Sequence, residues 1–337
     1  MRKARIVEEE AAYYHVISRV VGREFVFDPE DERERFRKMM RRVEGFSGCR
    51  ILAWTVLSNH FHVLLHVPED KEVADQEFRR RMRFLYDDER VDKLMDEIHR
   101  LRRLGQDEWA ERVKAPYVKR MHDMAEFVKT LKQRVSVSFN RRHGRVGTLW
   151  EERYKSMLIE GEGESLKAVA AYIDLNAVRA KIVKDPKDYR FSSYGEAVGG
   201  SELARAGLCE CVGCGSGEWA EASGYYRELL YLKGEERGVQ ENGDPVRPGY
   251  SEQEVSEVLA EKGKLTLGAI IRCRVRYFTD GVILGHQIFV EERFLRYRNR
   301  FGVKRETGAR AMKGADYGGL CIARQLRVDV FGSRVPA

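Results

Sequence analysis

The run Ser58-Asn59-His60-Phe61-His62-Val63-Leu64-Leu65-His66-Val67 decides how this chain is to be read. Its alternation is that of a β-strand, in which successive side chains point to opposite faces. His60, His62 and His66 then share one face, and Phe61, Val63, Leu65 and Val67 share the other. The apolar face asks for a core. The histidine face admits two readings, solvated polar residues or ligands to a metal ion. Three of the chain's eight histidines within seven residues give the second reading its weight. A histidine strand names a site and still needs a partner.

A second informative segment runs from Ser165 to Ala180. Leu166, Val169, Ala170 and Ile173 recur at helical spacing and form an apolar stripe. Ser165, following Gly161 and Gly163, is the expected N-cap. Tyr172, Asn176 and Arg179 fall at i, i+4 and i+7 and make a second stripe beside the first. By spacing alone, Tyr172 is either an aromatic at the core's edge or a functional phenol.

These segments occur with Tyr14-His15-Val16-Ile17-Ser18-Arg19, with Gly147 to Ser156 and with Val183 to Tyr194, in that order along the chain. The combination resembles the single-tyrosine transposases of the HUH (His-hydrophobe-His) nuclease superfamily, and among them the REP-associated tyrosine transposases. The resemblance covers most of residues 10–198. It implies that His60 and His62 bind metal, that Tyr172 is the nucleophile and that Asn176 completes the metal shell. Relatives usually carry proline where this chain has Ala177, a change that bears on the end of the helix rather than on the chemistry.

The chemistry follows from the residue types. A phenol with a reference pKa near ~10 is a weak nucleophile at neutral pH. A divalent cation held by two imidazoles and an amide oxygen can polarise a scissile phosphate, and the resemblance implies Mg²⁺ or Mn²⁺. Structural zinc would normally take four closed ligands that include thiolates. As the resemblance implies, attack by Tyr172 leaves a 5′-phosphotyrosine and a free 3′-hydroxyl, so strands are cut and rejoined without ATP. His66 is read as a neighbouring or solvated residue.

The chain has 337 residues and a net charge of +7, with 34% charged residues. Its basic balance is compatible with a nucleic-acid partner. Between Lys129 and Lys155, Lys132, Arg134, Arg141, Arg142, Arg145 and Arg153 are interleaved with Phe139, His143, Trp150 and Tyr154. Cations that track phosphates, mixed with aromatics that stack on bases, are the footprint of single-strand binding. A solvated helix with Trp150 and Tyr154 in a core is the competing reading. Candidate DNA contacts are Arg141, Arg142, Arg145, Trp150, Arg153, Tyr154, Lys155 and Arg179, joined further on by Arg272, Arg274 and Arg276. The expected partner is single-stranded or hairpin DNA of the REP type.

The expected fold is α+β, a ferredoxin-like antiparallel sheet with helices packed on one face, the architecture of HUH nucleases. Strands are expected over 14–20, 51–57, 60–67 and about 148–159, with helices over about 30–44, where Gly45 stops the first, and 117–139. Residues 71–115, highly charged with scattered Leu and Phe, read as a helical insertion. Residues 1–198 form the expected catalytic domain, 199–219 a Gly- and Cys-rich linker, and 220–337 a smaller basic accessory domain. Cys209, Cys211 and Cys214 lack a fourth ligand at metal spacing and read as reduced thiols. Ser251 to Glu261 reads as a short helix.

No run of 18 or more apolar residues and no apolar leader follows Met1-Arg2-Lys3-Ala4-Arg5, so no membrane association and a cytoplasmic, chromosome-associated protein are expected. Monomer and homodimer both remain open. Two other functions compete. A rolling-circle initiator or relaxase shares the histidine pair, but many initiators carry a second tyrosine where this chain has Asn176. A domesticated hairpin binder that no longer cuts is the other.

Overall fold

The computed structural model describes residues 5–69, 72–234, 276–312 and 317–326. The chain begins with β1 (Ala12–Arg19), followed by α1 (Glu30–Ser47), β2 (Arg50–Val56) and β3 (His60–Val67). Pro29 precedes α1, and Glu30, Asp31 and Glu32 fill its first turn, where acids meet the positive end of the helix dipole. The helix ends at Gly48, whose φ of 71° is a left-handed cap. The expected stop at Gly45 is therefore corrected. Gly45 lies inside α1, where a Cβ would sit 2.6 Å from the Phe84 ring, so its smallness serves packing.

The charged insertion folds as α2 (Asp75–Met82), α3 (Asp88–Arg103) and α4 (Asp107–Val118). Asp123 then caps α5 (Met124–Arg142) by accepting from the Glu126 N–H. The single helix expected over 117–139 is thus two helices with a break before Asp123. Strand β4 (Lys155–Ile159) is shorter than expected, because residues 148–154 form an irregular approach to it.

In the sheet, β2, β3, β1 and β4 lie side by side in that order, and each neighbouring pair is antiparallel. With α1 between β1 and β2, and α5 between β3 and β4, this is the ferredoxin-like βαββαβ arrangement. The fold is α+β.

Beyond β4 come α6 (Glu164–Asp174), α7 (Asn176–Arg179), α8 (Ser193–Val198), α9 (Glu202–Val212) and α10 (Trp219–Gly234). Gly163, with φ of 60°, precedes α6, and Ser165 lies inside the helix with its hydroxyl on Glu160, so the expected Ser165 cap is corrected. Helices α1 and α5 pack against each other, whereas α6 and α9 pack on β2 and α10 packs on both.

Helices on both sheet faces correct the expected single helical layer. Phe36, Phe127, Phe61 and Val63 belong to one core, and Leu64, Met157, Val169 and Leu208 to the other. The sequence of β2, with Ile51 to Val56 all buried, has the continuous apolar character of a strand covered on both sides.

The stretch expected as a linker is largely α9, packed on the sheet. A Cβ at Gly207 would sit 2.7 Å from the Leu52 carbonyl oxygen, which is how closely the helix approaches β2. Cys209 and Cys211 are buried there.

C-terminally, α11 (Arg276–Thr279) leads into β5 (Gly281–Gly285), which pairs parallel to β4. Helix α12 (Gln287–Arg296) follows, and β6 (Arg310–Ala311) and β7 (Cys321–Arg324) complete the edge in the order β5-β7-β6. The described C-terminal residues therefore extend the same sheet. The expected helix over 251–261, together with Arg272 and Arg274, lies outside the described residues. No helix among the described residues is long and apolar enough to cross a membrane.

Candidate active site

Strand register brings the site together. Ile17 of β1 stands opposite His62 of β3, and Arg19 opposite His60. Helix α6 packs over that face and sets Tyr172 against it, with ring centroids 5.7 Å from His62 and 5.9 Å from His15. The cleft is about 210 Å³, and its walls include Arg19, His60, His62, Arg153, Tyr172 and Asn176. Glu151, Glu152, Lys155 and Thr279 reach it as well.

Each histidine of the pair has Nδ1 engaged. His60 Nδ1 lies 2.8 Å from Asn59 Oδ1, and the Asn59 amide is oriented by donating from Nδ2 to the Arg23 carbonyl. An accepting Oδ1 requires the proton on His60 Nδ1 and leaves Nε2 as the free base. His62 Nδ1 lies 2.9 Å from His15 Nε2. Burial pushes the His60 pKa down to about 4, helped by the charge of Arg19. Burial likewise holds His62 well below its ordinary range. Both rings are neutral at physiological pH, the form that ligates a metal.

Asn176 donates from Nδ2 to the carbonyls of Tyr172 and Ile173, at 2.9 and 3.2 Å, which leaves Oδ1 as its metal-capable atom. Among the described residues no three His, Cys, Asp or Glu side chains gather at metal-holding geometry. The candidate donors lining this cleft are two imidazoles and a carboxamide oxygen, with the carboxylates of Glu151 and Glu152 at its wall. That mixed set fits a divalent ion with open positions, and it does not fit a closed thiolate site.

Tyr172 is only 1% exposed and is held on several sides. Phe278 stacks on its ring at 4.7 Å with planes 15° apart, and the Arg179 guanidinium lies 5.0 Å over it. Arg179 also donates to the Tyr172 carbonyl at 3.0 Å. Two residues on, Asp174 is fully buried and anchors the helix. It accepts from Ser193 Oγ at 2.8 Å, the Tyr194 N–H at 3.0 Å and the Tyr226 hydroxyl at 2.7 Å.

The remaining expected DNA contacts divide. Arg153 and Lys155 line the cleft, Lys155 also facing Asp280 at 3.3 Å. Trp150 is corrected to a core residue, because it is 6% exposed and its indole N–H donates to the Lys132 carbonyl and Ser136 Oγ. Tyr154 is corrected likewise, since it is buried with the Arg5 guanidinium 3.5 Å above its ring.

Arg142 forms an ion pair with the buried Glu32, and Arg145 pairs with Glu24 at 2.8 Å. Arg141 is exposed at the end of α5, apart from the cleft lining. Arg276 opens α11. His66 stacks on Tyr13 at 4.6 Å and is also outside the cleft lining.

His15, Arg19 and Phe278 were not singled out by the sequence. His15 and Arg19 share a strand face with Ile17, and only the pairing of β1 with β3 turns that alternation into a site. Phe278 opens a turn-bearing segment, Phe278 to Gly285, but its place against Tyr172 depends on β5 pairing with β4.

Residues 9–77 match the family model described as "Transposase IS200 like". This segment is similar to that family over β1, α1, β2 and β3, the histidine pair included, and stops short of Tyr172 and Asn176. A solved structure of a REP-associated tyrosine transposase bound to a REP hairpin aligns with 59% of this chain and 87% of that one. The identity is 15% and the TM-score 0.38. No curated protein matches the chain.

Proposed function

We propose that the chain is a metal-dependent single-stranded DNA endonuclease and strand transferase that cuts at or beside DNA hairpins through Tyr172. The observation that carries this reading is the convergence of Tyr172, Asn176 and two neutral, oriented histidines on one cleft rimmed by Arg19, Arg153 and Lys155. His60, His62 and Asn176 would hold Mg²⁺ or Mn²⁺, which supplies charge to polarise the scissile phosphate when bound.

The chain's own residues do the rest. Arg19, Arg153 and Lys155 draw the phosphate backbone into the cleft, and the α6 anchor fixes the nucleophile beside the histidines. The Tyr172 oxygen attacks phosphorus, forming the phosphotyrosine bond as the bond to the 3′-oxygen breaks. The phenol proton is released to water and the leaving 3′-oxygen takes one up, so the cut strand ends in a 3′-hydroxyl able to reverse the step or attack a second junction. Action on the chromosome in the cytoplasm, as monomer or homodimer, belongs to the same proposal.

One observation favours a hairpin binder that does not cut, namely the burial of Tyr172 beneath Phe278. A rolling-circle nuclease has less support, because Asn176 occupies the position of a second tyrosine. Incubation with labelled hairpin-bearing single-stranded DNA and Mn²⁺ separates these readings. A metal-dependent covalent adduct, absent from Tyr172→Phe and His62→Ala, supports the nuclease. Equal hairpin binding by all three proteins without any adduct supports the binder.

A further inference from the structure

His15 is buried in β1 at the centre of the sheet, 1% exposed, and has no obvious reason to be there. A core position on that face would normally hold an aliphatic residue, as Leu64 does opposite it. An imidazole buried without purpose costs desolvation that an apolar residue avoids. Its Nε2 meets His62 Nδ1 at 2.9 Å, and the two rings lie nearly parallel with centroids 5.2 Å apart.

Two buried neutral imidazoles in contact share one proton between them. If that proton sits on His15 Nε2, then His62 carries its own proton on Nε2 and cannot ligate a metal there. If it sits on His62 Nδ1, then His62 Nε2 is a bare lone pair and His15 is protonated on Nδ1. His62 lines the cleft while its Nδ1 faces His15, so Nε2 is the ring nitrogen left to the cleft. Ligation through that atom requires the second arrangement, with His15 Nε2 accepting from His62 Nδ1.

We propose that His15 is a positioning residue that fixes His62 in the Nδ1–H tautomer, so that His62 Nε2 is presented as a free base to a divalent cation. The proposal rests on the reading of His62 as a metal ligand. It gives His62 the same service from β1 that Asn59 gives His60. A ligating histidine held through its other nitrogen is typically about 10–100-fold better as a ligand than one that is not.

The experiment uses the full chain with ¹⁵N-labelled histidine rings, in wild type, His15→Leu and His15→Gln. Nuclear magnetic resonance of the ring nitrogens reports the His62 tautomer directly and needs no metal. His62 assigned as Nδ1–H in wild type and in His15→Gln, whose amide oxygen can still accept, and shifted toward Nε2–H in His15→Leu, supports the proposal. His62 as Nε2–H in wild type, or an unchanged tautomer in a folded His15→Leu, overturns it.

Calorimetric titration with Mn²⁺ alone is the second measurement. We expect about 10–100-fold weaker binding in His15→Leu and recovery in His15→Gln. Equal Mn²⁺ affinity in a folded His15→Leu and wild type also overturns the proposal. Wild type that binds no Mn²⁺, with His62 nevertheless Nδ1–H and dependent on His15, sinks the metal reading of the site while leaving the tautomer assignment standing.

Discussion

Replacing Asp174 by alanine tests whether the helix that carries Tyr172 is held by one buried carboxylate. Asp174 ends α6, and its oxygens take donors from Ser193 Oγ, the Tyr194 N–H and the Tyr226 hydroxyl. In Asp174→Ala the serine has an alternative, because Ser193 Oγ already lies 3.4 Å from the Trp54 carbonyl. The Tyr194 N–H and Tyr226 hydroxyl have no such second partner, and each stranded buried donor costs about 1–3 kcal/mol. The expected loss is therefore about 2–6 kcal/mol, centred near ~4.

Adding Tyr226→Phe to Asp174→Ala removes one stranded hydroxyl and should recover about 1–2 kcal/mol, although Tyr226→Phe destabilises the parent. Urea unfolding of the four proteins of this cycle, followed by circular dichroism, measures the coupling. A loss below about 1 kcal/mol in Asp174→Ala, or strict additivity in the double variant, would refute the anchor.

Trp150→Phe should lose about 1–2 kcal/mol of stability, through the indole bonds to Lys132 and Ser136, and keep wild-type hairpin affinity; a clear affinity loss would restore Trp150 as a base-stacking residue. Arg153→Ala should lower the slope of log affinity against log salt by about 0.7 for single-stranded DNA, and an unchanged slope would remove Arg153 from the phosphate path. Burial, with Arg5 nearby, pushes the Lys132 pKa down to about 8 from 10.5, so the unfolded chain binds more protons between those values and stability rises with pH across that window. Lys132→Met should flatten this rise in chemical unfolding from pH 8 to 10.5, and an identical profile would contradict it. Burial also pushes the Cys49 thiol up to about 12, so iodoacetamide at pH 8 should label the part-exposed Cys214 well before Cys49 or Cys211, as mass spectrometry of the peptides would show.

The histidine strand was legible because alternation in His60 to Val67 is a local property with a period of two. The Tyr172 helix was legible for the same reason at helical spacing. Elsewhere, local patterns had more than one solution. Gly45 read as a helix stop, whereas the stop is Gly48, three residues on; only the Phe84 ring and the left-handed φ separate the two glycines.

Trp150 and Tyr154 among cations had the composition of a stacking groove, but their rings fill space beneath Lys132 and Arg5. The second helical layer depended on which elements return to the far face of the sheet. Only the unbroken apolar run of β2 signals that, and it does not name the covering helices. His15 and Phe278 were the least legible, because their meaning lies in partners 47 and 106 positions away, His62 and Tyr172.

The most direct measurement of the central claim is peptide mass spectrometry of protein incubated with hairpin-bearing single-stranded DNA and Mn²⁺, then digested with nuclease and protease. The account predicts a nucleotide phosphate carried on Tyr172 through the 5′ end of the cut strand, and none on the chain's other tyrosines. A nucleotide on a different residue, or cleavage of the hairpin substrate with no covalent adduct, would contradict it.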